Sequence, residues 1–258
     1  MKRYWLSSFF LFVCIVHSVA QLNESDTSAF QLRASLTGNM QQGNVEVISL
    51  RGKLDFSITG SKTLVFKSQN SSLYQAFYSQ TADNDIFSRN YLYYRPFREI
   101  YPFGIAYIST NYRRQIGHRY FAGAGLTWQA IHTSPMVLKI SASVVYETTR
   151  FKADTYNYEE YNGEDKINVW RSTFYLGGWS YLADRHLRLY YDAYWQPAFD
   201  SPDNFRTQID LGADFPVWKG LAVTFLYTYT HENVVVTPIR KNDQILTFGL
   251  AYNVRSKN

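Results

Sequence analysis

The chain has 258 residues, with 26 basic and 21 acidic side chains and a formal net charge of +5. This excess is too mild to argue for nucleic acid, and a single cysteine, Cys14, excludes a disulfide framework. The distinctive counts are 22 Tyr, 18 Phe and 6 Trp beside a mean hydropathy of −0.30, so the rings need a surface that accepts amphipathic side chains while much of each element stays polar.

Residues 1–20 combine a basic start (Lys2, Arg3), an apolar run from Trp5 to about Val16 and a small-residue exit at Ser18-Val19-Ala20, the layout of a cleaved secretory signal. The apolar run is shorter than the ~20 residues of a spanning helix. Removing the signal takes Cys14, Lys2 and Arg3 with it and lowers the net charge from +5 to +3. Residues 21–28 then form a polar periplasmic lead, and residues 29–258 the folded body.

From Phe30 onward about twelve segments alternate with period two, the pattern of two-faced β-strands. Phe30, Leu32, Ala34 and Leu36 oppose Gln31, Arg33, Ser35 and Thr37; after a turn at residues 38–43, Ile48, Leu50, Leu54 and Phe56 oppose Ser49, Arg51, Lys53 and Asp55. A turn at Thr59 to Lys62 leads to a third strand, about Thr63 to Tyr78, interrupted at Ser71-Ser72, and a fourth, about Ile86 to Arg95, ended by Pro96. The fifth runs from Pro102 to about Tyr112, the sixth from Tyr120 to Ala130, and the seventh sets Leu138, Ile140, Ala142, Val144 and Tyr146 against Lys139, Ser141, Ser143 and Glu147.

Phe151 to Ile167 is acidic and Tyr-rich and is the longest loop. The eighth strand follows from about Asn168 to Ser180. Strand nine (Leu187 to Gln196), strand ten (Phe205 to Phe215) and strand eleven (Leu221 to Thr230) alternate cleanly, as does the last, Asp243 to Val254.

Alternation alone does not say whether the apolar face packs inward or meets lipid. Three features favour lipid. Many strands have eleven or more residues, against ~5–6 in soluble sheets and ~9–11 for a membrane crossing. Aromatics gather near strand ends, at Tyr91, Tyr93, Tyr107, Tyr146, Trp195, Phe205, Phe215, Trp218, Tyr229 and Tyr252, as in an interfacial girdle. Counting connections from the N-terminus, even ones are short, whereas odd ones include Phe151 to Ile167 and Glu232 to Asn242, an asymmetry expected of short periplasmic turns and longer outer loops. The expected fold is an all-β, transmembrane, up-and-down antiparallel barrel of about twelve strands in a bacterial outer membrane, surrounded by outer-membrane lipid.

The terminal strand supports this. Thr247, Gly249, Tyr252 and Val254 form a polar-x-Gly-x-x-aromatic-x-hydrophobic pattern that resembles the C-terminal signal read by the barrel-assembly machinery during insertion, with Val where the usual Phe stands and four residues beyond it. The segments Leu36-Thr37-Gly38-Asn39, Gln42-Gly43-Asn44-Val45, Tyr91-Leu92-Tyr93-Tyr94, Phe103-Gly104-Ile105-Ala106-Tyr107 and Gly123-Ala124-Gly125-Leu126 resemble the domain-of-unknown-function 481 family. That resemblance implies an outer-membrane barrel, some members being described as salt- or acid-induced, and implies no catalytic or binding residues.

The chemistry expected is that of a lumen. Centring the second hairpin on Gly60-Ser61 sets Asp55 opposite Lys67; centring the strand nine–ten hairpin near Asp200-Pro202 sets Arg188 opposite Asp214 and Asp192 opposite Asp210. The two like charges repel unless Arg171, Arg188 or Arg206 bridges them, which is the favoured reading; a shared proton would instead make the lumen respond between about pH 4 and 6.

No cofactor, metal or nucleic acid is implied, and no enzyme. His132 and Ser134 read as a turn rather than a nucleophile–base pair, and no Gly-x-Ser-x-Gly, phosphate loop or His-Glu-x-x-His occurs. Asp154, Glu159, Glu160, Glu164 and Asp165 lack calcium-loop spacing and read as a solvated loop, with Tyr156, Tyr158 and Tyr161 available to lipopolysaccharide or a partner. Three roles stay open: a narrow channel, a lipid-modifying barrel enzyme, and a scaffold or adhesion barrel acting through its loops. Nothing in the sequence sets an oligomeric state.

Overall fold

The computed structural model describes residues 22–25, 28–43, 46–61 and 63–256; the signal segment, with Cys14, lies outside them. Twelve strands run in chain order: β1 (Phe30–Gln41), β2 (Val47–Ser61), β3 (Leu64–Phe77), β4 (Gln80–Tyr94), β5 (Ile100–Asn111), β6 (Ile116–His132), β7 (Met136–Phe151), β8 (Lys166–Leu182), β9 (Leu187–Pro197), β10 (Phe205–Trp218), β11 (Leu221–Glu232) and β12 (Asn242–Ser256). Each pairs antiparallel with its sequence neighbours, and β12 returns to β1, with Phe30 opposite Ser256, so the sheet closes into a barrel without edges.

The alternation places apolar side chains outside and polar ones inside. On β10, Leu211 is 48% exposed while Asp210 is buried, and on β12 Leu250 and Tyr252 face out beside buried Thr247 and Ala251. A soluble protein would invert this arrangement; an apolar exterior around a polar lumen suits lipid. No described helix is long and apolar enough to cross a membrane; in the closed sheet the backbone groups of each strand are satisfied by its neighbours.

Several expected boundaries move. β3 continues unbroken through Ser71 and Ser72, and β4 starts at Gln80 rather than Ile86, because Tyr78 and Ser79 alone make the turn, both with left-handed φ (46° and 60°). Two left-handed residues match the twist of a tight hairpin, but neither is the Gly or Asn that would announce it. Three odd-numbered connections, those after β1, β3 and β5, are thus no longer than the longest even one, residues 95–99. β5 begins at Ile100, before Pro102, and β6 extends at both ends to take in His118 and His132.

The aromatic girdle is real but differently populated. Tyr94, Trp128, Trp170, Trp195 and Trp218 are exposed outside, whereas Tyr91 and Tyr93, expected there, are buried inside. Strand parity decides this: Leu92 and Tyr94 occupy the outward positions of β4. With Val65, Tyr101, Phe103, Ile105, Phe121 and Val145, these tyrosines form an aromatic core within the lumen, and Tyr107, also expected in the girdle, packs against it. On the opposite wall a Cβ at Gly212 would lie 1.9 Å from the Tyr190 ring, so glycine there makes room for a ring inside the barrel.

Candidate functional site in the barrel lumen

Charged residues fill what the aromatic core leaves. Register sets Arg188 of β9 opposite Asp214 of β10, and Arg188 Nη1 donates to Asp214 Oδ2 at 2.5 Å. Arg33, reaching from β1, forks onto both oxygens of the same carboxylate at 3.0 Å each. Asp214 and Arg188 are fully buried, so each charge depends on its partners.

A second cluster gathers on Glu147. Arg171 approaches its Oε1 at 3.2 Å and Arg119 at 3.7 Å, while Arg206 pairs with Oε2. Arg119 also forks onto Glu232 at 2.8 and 2.9 Å. The sequence reading sent Arg171, Arg188 or Arg206 between Asp192 and Asp210. The register does place those two carboxylates opposite one another, but no arginine bridges them. Tyr175 donates to Asp192 at 2.5 Å and Thr228 to Asp210 at 2.7 Å, and the arginines are held by Asp214 and Glu147.

The expected Asp55–Lys67 pair does not form. β2 runs on through Gly60, bulges, and turns only after Ser61, which shifts the register by two and sets Asp55 opposite Gln69 and Lys67 opposite Ser57. Lys67 instead meets Glu24, in the segment read as a simple periplasmic lead. Leu22, Asn23, Glu24 and Ser25 are all buried inside the barrel, at the end where β1 begins and β12 finishes.

Glu24 is held by Lys139 at 2.7 Å, Lys67 at 3.4 Å and the Tyr101 hydroxyl at 2.9 Å. Asn23 exchanges two hydrogen bonds with the Gln31 amide, and Ser25 Oγ donates to the Pro96 carbonyl at 2.6 Å. Burial alone would raise the Glu24 carboxyl, but the two ammonium charges outweigh it and hold it well below the usual carboxylate range.

The opposite end is covered in part by loops. Residues 152–165 and 233–241 join through a bridge between Tyr156 and Val236 and enclose a small apolar core with Ile116, Phe151, Ile167 and Val169. Tyr156, Tyr158 and Tyr161, expected to face outward partners, pack on this core instead, because their rings are apolar enough to seal it while their hydroxyls keep polar partners. Tyr156 donates to the Glu164 carbonyl at 2.8 Å, and burial followed by the charges of Asp165 and Asp154 pushes its hydroxyl up to about 12.

Three cavities follow one another along the lumen, and a fourth, of about 10 Å³, lies beside Glu147. The outer one, about 150 Å³, reaches the loop end at Arg113, His231 and Asp243; the middle and inner ones are about 40 Å³ each. Outer and middle share Lys53, Phe87, Arg89 and Asp210, and middle and inner share Leu22, Lys67 and Gln69. Among the described residues no group of acidic, His or Cys side chains is arranged for a metal. Ser134 Oγ accepts from Arg185, and no described histidine hydrogen-bonds a Ser or Thr hydroxyl.

Sequence comparison places residues 23–254 under the family model described as "Protein of unknown function, DUF481". No curated protein matches. Among solved structures, the NanC porin matches at 9% identity over 87% of this chain and 99% of that one, with a TM-score of 0.51. The translocator domain of autotransporter NalP from Neisseria meningitidis matches at 12% identity over 88% and 89%, with a TM-score of 0.46. The CymD monoaromatic hydrocarbon channel matches at 10% identity over 92% of each chain, with a TM-score of 0.42. At such identities the likeness is one of fold, that of bacterial outer-membrane barrels.

Proposed function

This chain belongs to the DUF481 family, whose description assigns no role, and we propose that it is a narrow outer-membrane channel closed at its periplasmic end by its own residues 22–25. The reading rests on the linked cavities. A barrel that is only structural can fill its interior with side chains; this one keeps three voids in series, with Lys53 and Arg89 between the first two and Leu22 and Lys67 between the last two. The second constriction is occupied by a peptide that comes from outside the barrel wall and is fastened mainly through one carboxylate. Removing it would join the inner cavity to the terminal end without touching a strand.

Insertion of such a barrel would use the last strand: Tyr252 and Val254 present their side chains outward, Thr247 inward, and Gly249 lies at the seam with β1. The test of function is conductance in planar lipid bilayers. The full chain is expected to conduct weakly and briefly, and a variant lacking residues 22–28 to conduct in larger, longer steps. Equal conductance for the two, with both proteins folded by heat-modifiable migration on gels, would overturn the reading.

A further inference from the structure

We propose that the outer cavity is a binding site for a compact oxyanion, the carboxylate or phosphate group of a small solute, held by Arg51, Lys53 and Arg89. Seven cationic side chains and four carboxylates line this cavity. All four carboxylates are already engaged. Glu232 takes Arg119 and Arg114, and Asp243 takes Arg113 and Arg114. Asp85 accepts from the Asn111 side chain and the Tyr112 backbone N–H, and Asp210 accepts from Thr228 and Gln208. Among the described residues, no carboxylate forms an ion pair with Arg51, Lys53 or Arg89. Arg51 and Arg89 are nonetheless only 7% and 9% exposed, and Asp210, held only by neutral donors, is the one carboxylate whose charge Lys53, Arg51 and Arg89 share; three cations on one counter-charge are costly to withdraw from water. An anion in the cavity removes that cost.

The geometry suits a planar or tetrahedral acceptor. Arg51 and Lys53 stand two residues apart on one face of β2, roughly 7 Å along the strand. Arg51 is oriented by its hydrogen bond to Thr228 at 2.8 Å. The Arg89 guanidinium lies 4.3 Å from the centre of the Tyr194 ring, with Tyr107 and Phe87 at 5.5 and 5.6 Å. Rings stack on the faces of a guanidinium and leave its N–H edge for a carboxylate or phosphate fork. A cavity of this size has room for a solute on the order of six heavy atoms. Because Lys53 and Arg89 also border the middle cavity, the bound anion would stand at the entrance to the next void.

The site does not require the channel to open, so it can be tested with the plug in place. The full chain in detergent is titrated calorimetrically with succinate and with inorganic phosphate, using glycerol and choline as neutral and cationic controls. Expected is saturable one-site binding of at least one anion, weakened by added salt, with neither control binding. Binding of succinate alone assigns the site to organic carboxylates, and of phosphate alone to phosphate-bearing solutes. Arg51→Gln and Arg89→Gln should each weaken binding about tenfold or more, whereas Arg150→Gln, at an exposed pair outside the cavity, should not. Lys53→Gln changes the least buried of the three cations, and Arg89→Lys keeps the charge while losing the fork; both should bind several-fold more weakly even if the buried glutamine variants fail to fold. The proposal is overturned if neither anion binds, or if Lys53→Gln and Arg89→Lys bind as tightly as the unchanged chain. A silent bilayer recording alongside normal anion binding would count against the channel and leave this site standing.

Discussion

Glu24→Gln is the most discriminating single change, because it preserves side-chain shape while removing the one charge that fastens residues 22–25. In the native chain that carboxylate neutralises two buried ammonium groups, Lys139 at 2.7 Å and Lys67 at 3.4 Å. Removing one member of a buried ion pair typically costs about 3–5 kcal/mol. The lower end applies here: a glutamine oxygen can still accept from Tyr101, and Asn23 Oδ1 still accepts from Lys139 at 2.7 Å. About 3 kcal/mol corresponds to roughly a hundredfold shift in the docking equilibrium. The strands keep their own pairing, so the shift should appear in the plug and not in barrel stability. A cysteine at Leu22 should react with a water-soluble thiol reagent up to ~100-fold faster in the Glu24→Gln background, and bilayer recordings should show longer openings. Acid should imitate the substitution. The folded pKa lies below the ordinary 4.5, so the contribution of Glu24 is complete above about that pH and is lost as pH falls through the folded value; openings of the native chain should be insensitive to pH near neutrality and lengthen only in strong acid. Identical labelling rates and openings in the native and Glu24→Gln proteins would refute the reasoning.

Cysteines replacing Leu189, Leu211 and Leu250 should label with bilayer-embedded reagents and those replacing Arg188 and Asp210 should not; the reverse pattern would mean that the apolar face is a core. Asp214→Asn removes the carboxylate that Arg33 and Arg188 share, so it should destabilise the folded barrel by about 3–5 kcal/mol, read as a lower temperature for the heat-modified shift on gels. Gly249→Val should prevent closure, since even a Cβ there would lie 2.1 Å from the Leu36 carbonyl oxygen and 2.7 Å from Thr37 Cα; persistence of the heat-resistant band would contradict this. Tyr252→Asp with Val254→Asp should leave unfolded periplasmic protein, and normal heat-modifiable migration of that variant would remove the insertion role assigned to the strand.

Strand number, the inside–outside pattern and the β9–β10 register are readable in the sequence because all follow from period-two alternation, and the clean runs around residues 187–215 admit one register. Where the chain turns without Gly or Asn, as at Tyr78-Ser79, or bulges, as near Gly60, the local signal is missing and the register beyond it slips. Contacts across the lumen are harder still. Arg33 and Asp214 come from β1 and β10, separated around the wall by β11 and β12, and only curvature brings them together. Glu147 is visible as a polar-face residue of β7, but nothing local says that three arginines converge on it. Glu24 is the extreme case: it stands in a short polar stretch without periodicity, and of the two lysines that hold it, Lys67 has an apparent local match in Asp55.

Residues 22–25 lie four residues before β1, and β1 is one of the two strands that meet at the seam. The peptide is therefore tethered to the rim of the ring it occupies. It lies against the inner faces of β3, β5 and β7, where Lys67, Tyr101 and Lys139 hold Glu24 from three separate strands. Bound there it ties those strands to a common centre. The same few residues proposed to stopper the barrel thus also lace three alternate strands of its wall together from within.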